Sequence, residues 1–173
     1  SGELWRSDSI EGAVQLKGQS AQLFPTFLTN VEGTLYFSSR GGGQVWKSDG
    51  TVAGTVQVTA DVDAAHLTAM DGTLYYFANT PGGKGLWKIN ASGTPEIVKD
   101  FGSDFGGGPF ASYSGVPAVV GHTLYFSNRT AASGEELWKS DGTTAGTVQL
   151  MDIRPSSSGS NPTDLVNING MLC

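Results

Sequence analysis

Four tryptophans, Trp5, Trp46, Trp87 and Trp138, stand at spacings of 41, 41 and 51 residues, each inside the same local phrase. The phrase is fullest at residues 136–147, ELWKSDGTTAGT. It recurs as ELWRSDSIEGA from Glu3, as VWKSDGTVAGT from Val45, and in worn form as LWKINASGT from Leu86. A period of this size means that one supersecondary unit is built repeatedly and buries its apolar face on the next copy. A second phrase precedes each of the last three copies: GTLYF at 33–37, GTLYYF at 72–77 and HTLYF at 122–126. A final stub, NGMLC, occupies 169–173.

Each unit reads as four short strands. The first is a small apolar run: Phe27-Leu28-Thr29, His66-Leu67-Thr68, Pro117-Ala118-Val119-Val120 and Asp164-Leu165-Val166. A turn follows at Glu32-Gly33, Asp71-Gly72, Gly121-His122 or Asn169-Gly170; Asp-Gly and Asn-Gly tolerate positive φ and are strong hairpin signals. The second strand, Thr34-Leu35-Tyr36-Phe37 and its copies, is rich in aromatic residues that favour β-structure. The third carries the Leu-Trp pair. A further Asp-Gly turn, at Asp49-Gly50 or Asp141-Gly142, leads to a fourth strand at Thr55-Val56-Gln57-Val58 or Thr147-Val148-Gln149-Leu150.

Adjacent residues of a strand point to opposite faces, so a Leu-Trp pair demands cover on both sides. For an antiparallel sheet that requires neighbouring sheets above and below. The expected fold is therefore all-β: a β-propeller-like array of four blade equivalents, each of four antiparallel strands. A β-sandwich explains the periodic tryptophan poorly. Residues 1–173 form one repeat domain, or a fragment of a longer array. The stub at 169–173 reads as the start of a second strand, and residues 1–5 as a third strand with nothing before it. Joined, they restore a Trp-to-Trp distance of 40 residues, which predicts one blade closed by both termini. The Leu-to-Trp connection, however, is 11, 13 and 14 residues in the intact copies and only 6 across the termini.

Charge and composition exclude several classes of function. A net charge of −6 argues against nucleic acid, which is held by Lys and Arg contacts to phosphate. No stretch approaches the roughly 20 apolar residues of a transmembrane segment. Ser1-Gly2-Glu3 has neither a basic nor an apolar leader, so a signal peptide is expected to be absent or removed. The lone Cys173 makes no internal disulfide. His66 and His122 fall at different places in the repeat, which disfavours zinc.

The phrases, above all ELW, SDGT and AGT together at 136–147, resemble the ELWxxDGT repeats of large secreted or surface bacterial proteins. The resemblance covers nearly the whole chain. The third copy departs from it, with Asn90 in place of Asp and a Gly-rich insertion at 101–110; the first has Ser9-Ile10 in place of Gly-Thr. The resemblance implies a propeller-like fold and a secreted or cell-surface location, and it transfers no chemistry to particular residues.

Candidate sites follow from the loops. The tryptophans suit wedges between blades better than sugar platforms, and Asp49 and Asp141 resemble Asp-box turns, where the carboxylate bonds within its own turn. Arg40 and Arg129 are repeat-equivalent and lie on one rim. With Phe101 and Phe105 of the insertion they are the expected ligand-binding residues. Asp61, Asp63, Asp100 and Asp104 lie in loops that could supply oxygens to calcium, the one cofactor the sequence suggests, although D-x-[DN]-x-[DN]-G is absent. Asn90 and Asn128 begin N-glycosylation triplets. No carboxylate pair is singled out as in a glycosidase, so an enzyme is not expected. The expected function is a non-catalytic adhesion module binding a glycan or surface ligand through repeated clefts. The alternative is a structural subunit of an extracellular filament, partnered by other copies.

Overall fold

A computed structural model describes residues 2–8, 12–17, 23–40, 43–60, 63–102, 115–155 and 157–173. Every described element is a β-strand, and every pairing is antiparallel. A hairpin of β1 (Leu4–Asp8) and β2 (Gly12–Lys17) comes first. The first four-stranded sheet is β3 (Pro25–Val31), β4 (Thr34–Ser39), β5 (Val45–Ser48) and β6 (Val56–Gln57). The second is β7 (Ala65–Met70), β8 (Thr73–Thr80), β9 (Gly83–Ile89) and β10 (Pro95–Gly102). The third is β11 (Ala118–Val120), β12 (Thr123–Thr130), β13 (Gly134–Ser140) and β14 (Val148–Gln149), and a hairpin of β15 (Asn167–Ile168) and β16 (Met171–Leu172) follows. Within each sheet the strands pair in chain order.

Register fixes the repeat. Leu35 faces Ser48 and Phe37 faces Trp46 in the first sheet; Leu124 faces Ser140 and Phe126 faces Trp138 in the third. In the second, Leu74 faces Ile89 and Tyr76 faces Trp87. Each tryptophan thus lies beside an aromatic ring of the second strand, with centroids 6.3–6.5 Å apart. The apolar residue before the tryptophan and the tryptophan itself then pack in opposite directions. Leu4 of β1 joins Trp46 in one cluster, Val45 joins Trp87 in the next, and Leu86 joins Trp138 in a third. Each interface between consecutive sheets therefore takes Leu or Val from the earlier sheet and Trp from the later one. Trp5, at the same position in β1, is 52 % exposed, and its indole N–H donates to Glu3.

The first strands β3 and β7 lie side by side, as do β11 and β15. Thr29 Oγ1 donates to the Leu67 carbonyl (2.9 Å), and Asn167 Nδ2 to the Val119 carbonyl (2.9 Å). Bulges interrupt β3 between Thr26 and Thr29 and β7 between Ala65 and Thr68. There Phe27 and His66 adopt φ of 53° and 52°, uncommon for bulky side chains, and their rings meet at 5.2 Å.

The SDGTxxGT phrase folds into a self-contained loop. Asp141 Oδ1 accepts from the Thr143 amide (2.9 Å) and hydroxyl (2.7 Å), and Thr143 Oγ1 accepts from the Gly146 amide (3.0 Å). The Thr147 hydroxyl donates to the Thr143 carbonyl (2.6 Å) and shares a 2.7 Å bond with Ser140, whose Oγ accepts from the Gly142 amide. Ser48, Asp49, Thr51, Gly54 and Thr55 repeat the pattern. A β-carbon on Gly54 or Gly146 would collide with the Asp49 or Asp141 carboxylate. Asn90 performs the same task without charge: its Oδ1 accepts from the amides and hydroxyls of Ser92 and Thr94.

Two expectations change here. The fourth strands of the first and third sheets shrink to Val56–Gln57 and Val148–Gln149, because Thr55 and Thr147 belong to the loop. The two terminal hairpins also stay apart, as separate two-stranded sheets, so the terminal blade is not joined. β16 offers two ladder residues where β4, β8 and β12 offer six to eight.

Glu136 anchors the connection after β14. It is fully buried, and its carboxylate accepts from the amides of Ile153, Arg154 and Ser160 and from Ser160 Oγ. Burial opposes its ionisation, but these hydrogen bonds outweigh that, and the carboxyl ionises below the usual glutamate range. The Thr143 hydroxyl and amide hold Asp141 below the usual aspartate range in the same way.

Two predictions follow from these loops. Asp141→Asn retains the acceptor, as Asn90 does, and should cost well under 1 kcal/mol, whereas Asp141→Ala strands two donors and should cost about 1 kcal/mol in urea unfolding. A depressed carboxyl stabilises the fold fully above the unfolded value, about pH 4.3 for glutamate, and ceases to do so as pH falls through the folded value. Glu136→Gln should therefore lose less stability than the parent between pH 7 and pH 3. Equal losses in urea midpoints would remove Glu136 from the acid response.

Candidate ligand cleft between the second and third sheets

The one stretch that breaks the repeat builds the cleft. In the second sheet the Asn90 turn closes β9 directly onto β10, so Pro95 pairs with Ile89 and the ladder runs on to Gly102. Bulges at Ile97/Lys99 and Asp100/Gly102 turn the end of β10, and Phe101 packs onto the third sheet. Its ring meets Trp138 edge-on at 5.5 Å and 85°, and lies 6.1 Å from Phe126. β6 and β14 hold two residues each and have nothing equivalent.

Lys99, Asp100 and Phe101 from β10, Asn128, Arg129 and Thr130 from β12, and Trp138 from β13 line a cleft of about 190 Å³. Asn128 is 1 % exposed, and among the described residues neither Nδ2 nor Oδ1 has a hydrogen-bond partner. The indole Nε1 of Trp138 is likewise buried and unpartnered. Trp46 and Trp87 share that condition, so the indole alone does not distinguish this interface. Asn128 does, because Ser39 and Ala78 occupy its place in the other sheets. Ser39 donates to Gln44 within its own sheet, and Ala78 has no polar group to satisfy. A buried amide left without partners costs roughly 1–3 kcal/mol, which singles out this position in the wall of the cleft.

Of the residues expected to bind ligand, Arg129 and Phe101 meet here. Arg40 does not join them: it occupies the equivalent corner of the first sheet, where its backbone amide bonds to Leu23 and Phe24. Phe105 lies outside the described residues. Asn128 entered the sequence reading only as a glycosylation site. Its side chain is buried on β12, in the wall of this cleft. Asn90 is exposed enough, but its Oδ1 is committed to four bonds.

The acidic loops do not assemble a calcium site among the described residues. Asp63 pairs with Lys84 at 2.7 Å, and Asp100 Oδ1 accepts from the Gly102 amide at 2.8 Å. Asp61 and Asp104 lie outside the described residues, and no group of three His, Cys, Asp or Glu side chains is positioned for a metal among those described. Among the described residues Asp100 is the single carboxylate lining the cleft. A second, larger groove of about 540 Å³ lies between the first and second sheets, where Tyr36 and Lys47 face the short Asn90 turn. Among the described residues no helix is long and apolar enough to cross a membrane.

No protein-family model and no curated protein matches the chain.

The unpartnered amide makes a stability prediction. Asn128→Leu keeps the approximate shape and removes two unsatisfied atoms, so it should raise stability by about 1 kcal/mol. A loss of similar size in urea unfolding would mean that the amide has a partner in the folded chain.

Proposed function

We propose that the chain is a non-catalytic, secreted or surface-displayed binding module of propeller-like, ELWxxDGT-type repeats, and that it takes a glycan in clefts between its sheets. The side-by-side first strands and the three alike interfaces support the propeller-like arrangement. The location follows from the resemblance of the repeats. The observation that carries the binding role is the cleft at Asn128, where aromatic walls from Phe101 and Trp138 stand beside unpartnered amide and indole groups. Sugars present apolar C–H faces and polar edges together, and such a wall answers both. Arg129 and Lys99 at the same cleft add cationic donors for polar ligand groups. Equivalent interfaces repeated through one chain would strengthen weak contacts by multivalency.

A filament or surface-assembly subunit remains the alternative. The half-exposed Trp5 and the exposed Ile168 and Met171 are apolar surface that a second copy would cover.

A glycan array probed with the intact chain separates the two. Binding to a defined glycan set, lost in Asn128→Leu while the fold is retained, is the expected outcome. Binding to none, with concentration-dependent self-association in sedimentation, would replace the glycan reading with the assembly reading.

A further inference from the structure

Resting on the reading of this cleft as a sugar site, we infer that the group it takes is an acetamido substituent, so that its ligand is a 2-acetamido sugar. The argument is a match of donors and acceptors. Two unpartnered donor groups, Asn128 Nδ2 and Trp138 Nε1, and one unpartnered acceptor, Asn128 Oδ1, belong to residues lining one cleft. A complementary group must offer acceptor sites to both nitrogens and a donor to the oxygen in a small, partly apolar body. An acetamide does so: its carbonyl oxygen has two lone pairs, its N–H is a single donor, and its methyl is apolar.

Other sugar groups fit less well. A carboxylate only accepts, and it would set negative oxygens against Asn128 Oδ1. An ammonium only donates, so it offers no acceptor to Asn128 Nδ2 or Trp138 Nε1. A pair of hydroxyls has no methyl to set against the Phe101 and Trp138 rings. The volume, about 190 Å³, is below the roughly 300–1,000 Å³ of sites for drug-sized ligands and suits a single residue of a glycan.

The unpartnered atoms are shielded from solvent. Entry therefore requires the Asn128 amide to turn toward the cleft about χ2, a broad and soft torsion. The other interfaces lack the means: Ser39 is engaged with Gln44, and Ala78 is apolar. The acetamido preference consequently belongs to this interface alone among the three.

The test is an NMR titration of the intact, ¹⁵N-labelled chain with N-acetylglucosamine, glucosamine and glucose. The Asn128 side-chain amide and the Trp138 indole signals are assigned through Asn128→Asp and Trp138→Phe. N-acetylglucosamine should shift both signals and bind at least about tenfold more tightly than glucose or glucosamine, because a site built for a hydrogen-bonding group discriminates against analogues that lack it. Asn128→Asp keeps the size and loses the donor, and should abolish that preference. Trp138→Phe keeps a ring and loses the N–H, and should weaken N-acetylglucosamine selectively. If glucose and N-acetylglucosamine bind alike and shift the same signals, the acetamido assignment fails while the sugar cleft stands. If none of the three sugars moves either signal although the array shows glycan binding, the cleft itself is the wrong site.

Discussion

The structure depends on one arrangement: two large apolar side chains at consecutive positions of a strand, with no choice but to face opposite ways. A strand built so is unstable unless something packs on each side, and what packs here is another copy of itself. Val45 and Leu86 are wholly buried against the sheet that follows, while Trp46, Trp87 and Trp138 lie against the sheet or hairpin that precedes. The aromatic ring of the neighbouring strand, Phe37, Tyr76 or Phe126, supports each indole from within its own sheet. Phe37, Tyr76 and Phe126 are themselves wholly buried, and aromatic rings carry large apolar areas.

Around that scaffold the DGTxxGT loops are inert by construction. Most of their hydrogen bonds close inside the loop. In the third sheet two more, Thr144 Oγ1 to the Val98 carbonyl and Lys88 Nζ to the Gly142 carbonyl, tie it to the second sheet. Chemistry enters where the phrase decays. In the second sheet the shortened Asn90 turn lets β10 grow, and the longer β10 carries Phe101 to the third sheet beside Asn128. The departure from regularity and the opportunity for binding have the same origin.

Much of the fold was legible in the sequence because its signals are local. The Trp spacing marked the units, and the Glu32-Gly33, Asp71-Gly72 and Asn169-Gly170 turns take positive φ at both residues, as their composition suggests. The bulges at Phe27 and His66 were not legible: nothing about a phenylalanine announces a left-handed backbone, which tertiary packing imposes. Glu136 read as part of a motif, but its burial depends on amides from residues 153–160, too distant for any local rule. The site was half legible. Arg129 stood out as a rim residue and Phe101 as part of the Gly-rich insertion, whereas Asn128 was masked by a glycosylation triplet. Its significance emerges only when its neighbours in register, Ser39 and Ala78, are set beside it.

The forward-looking leucine and backward-looking tryptophan give the stack a direction, as the head and tail of an arrow do. A duplicated unit of about 40 residues, spliced between any two sheets, would already carry the correct surface on each side. A unit inserted the other way round would set indole against indole and leucine against leucine. Such an array can lengthen by copying its own gene segment without altering a single joint, and its reach becomes a matter of copy number instead of new surface chemistry.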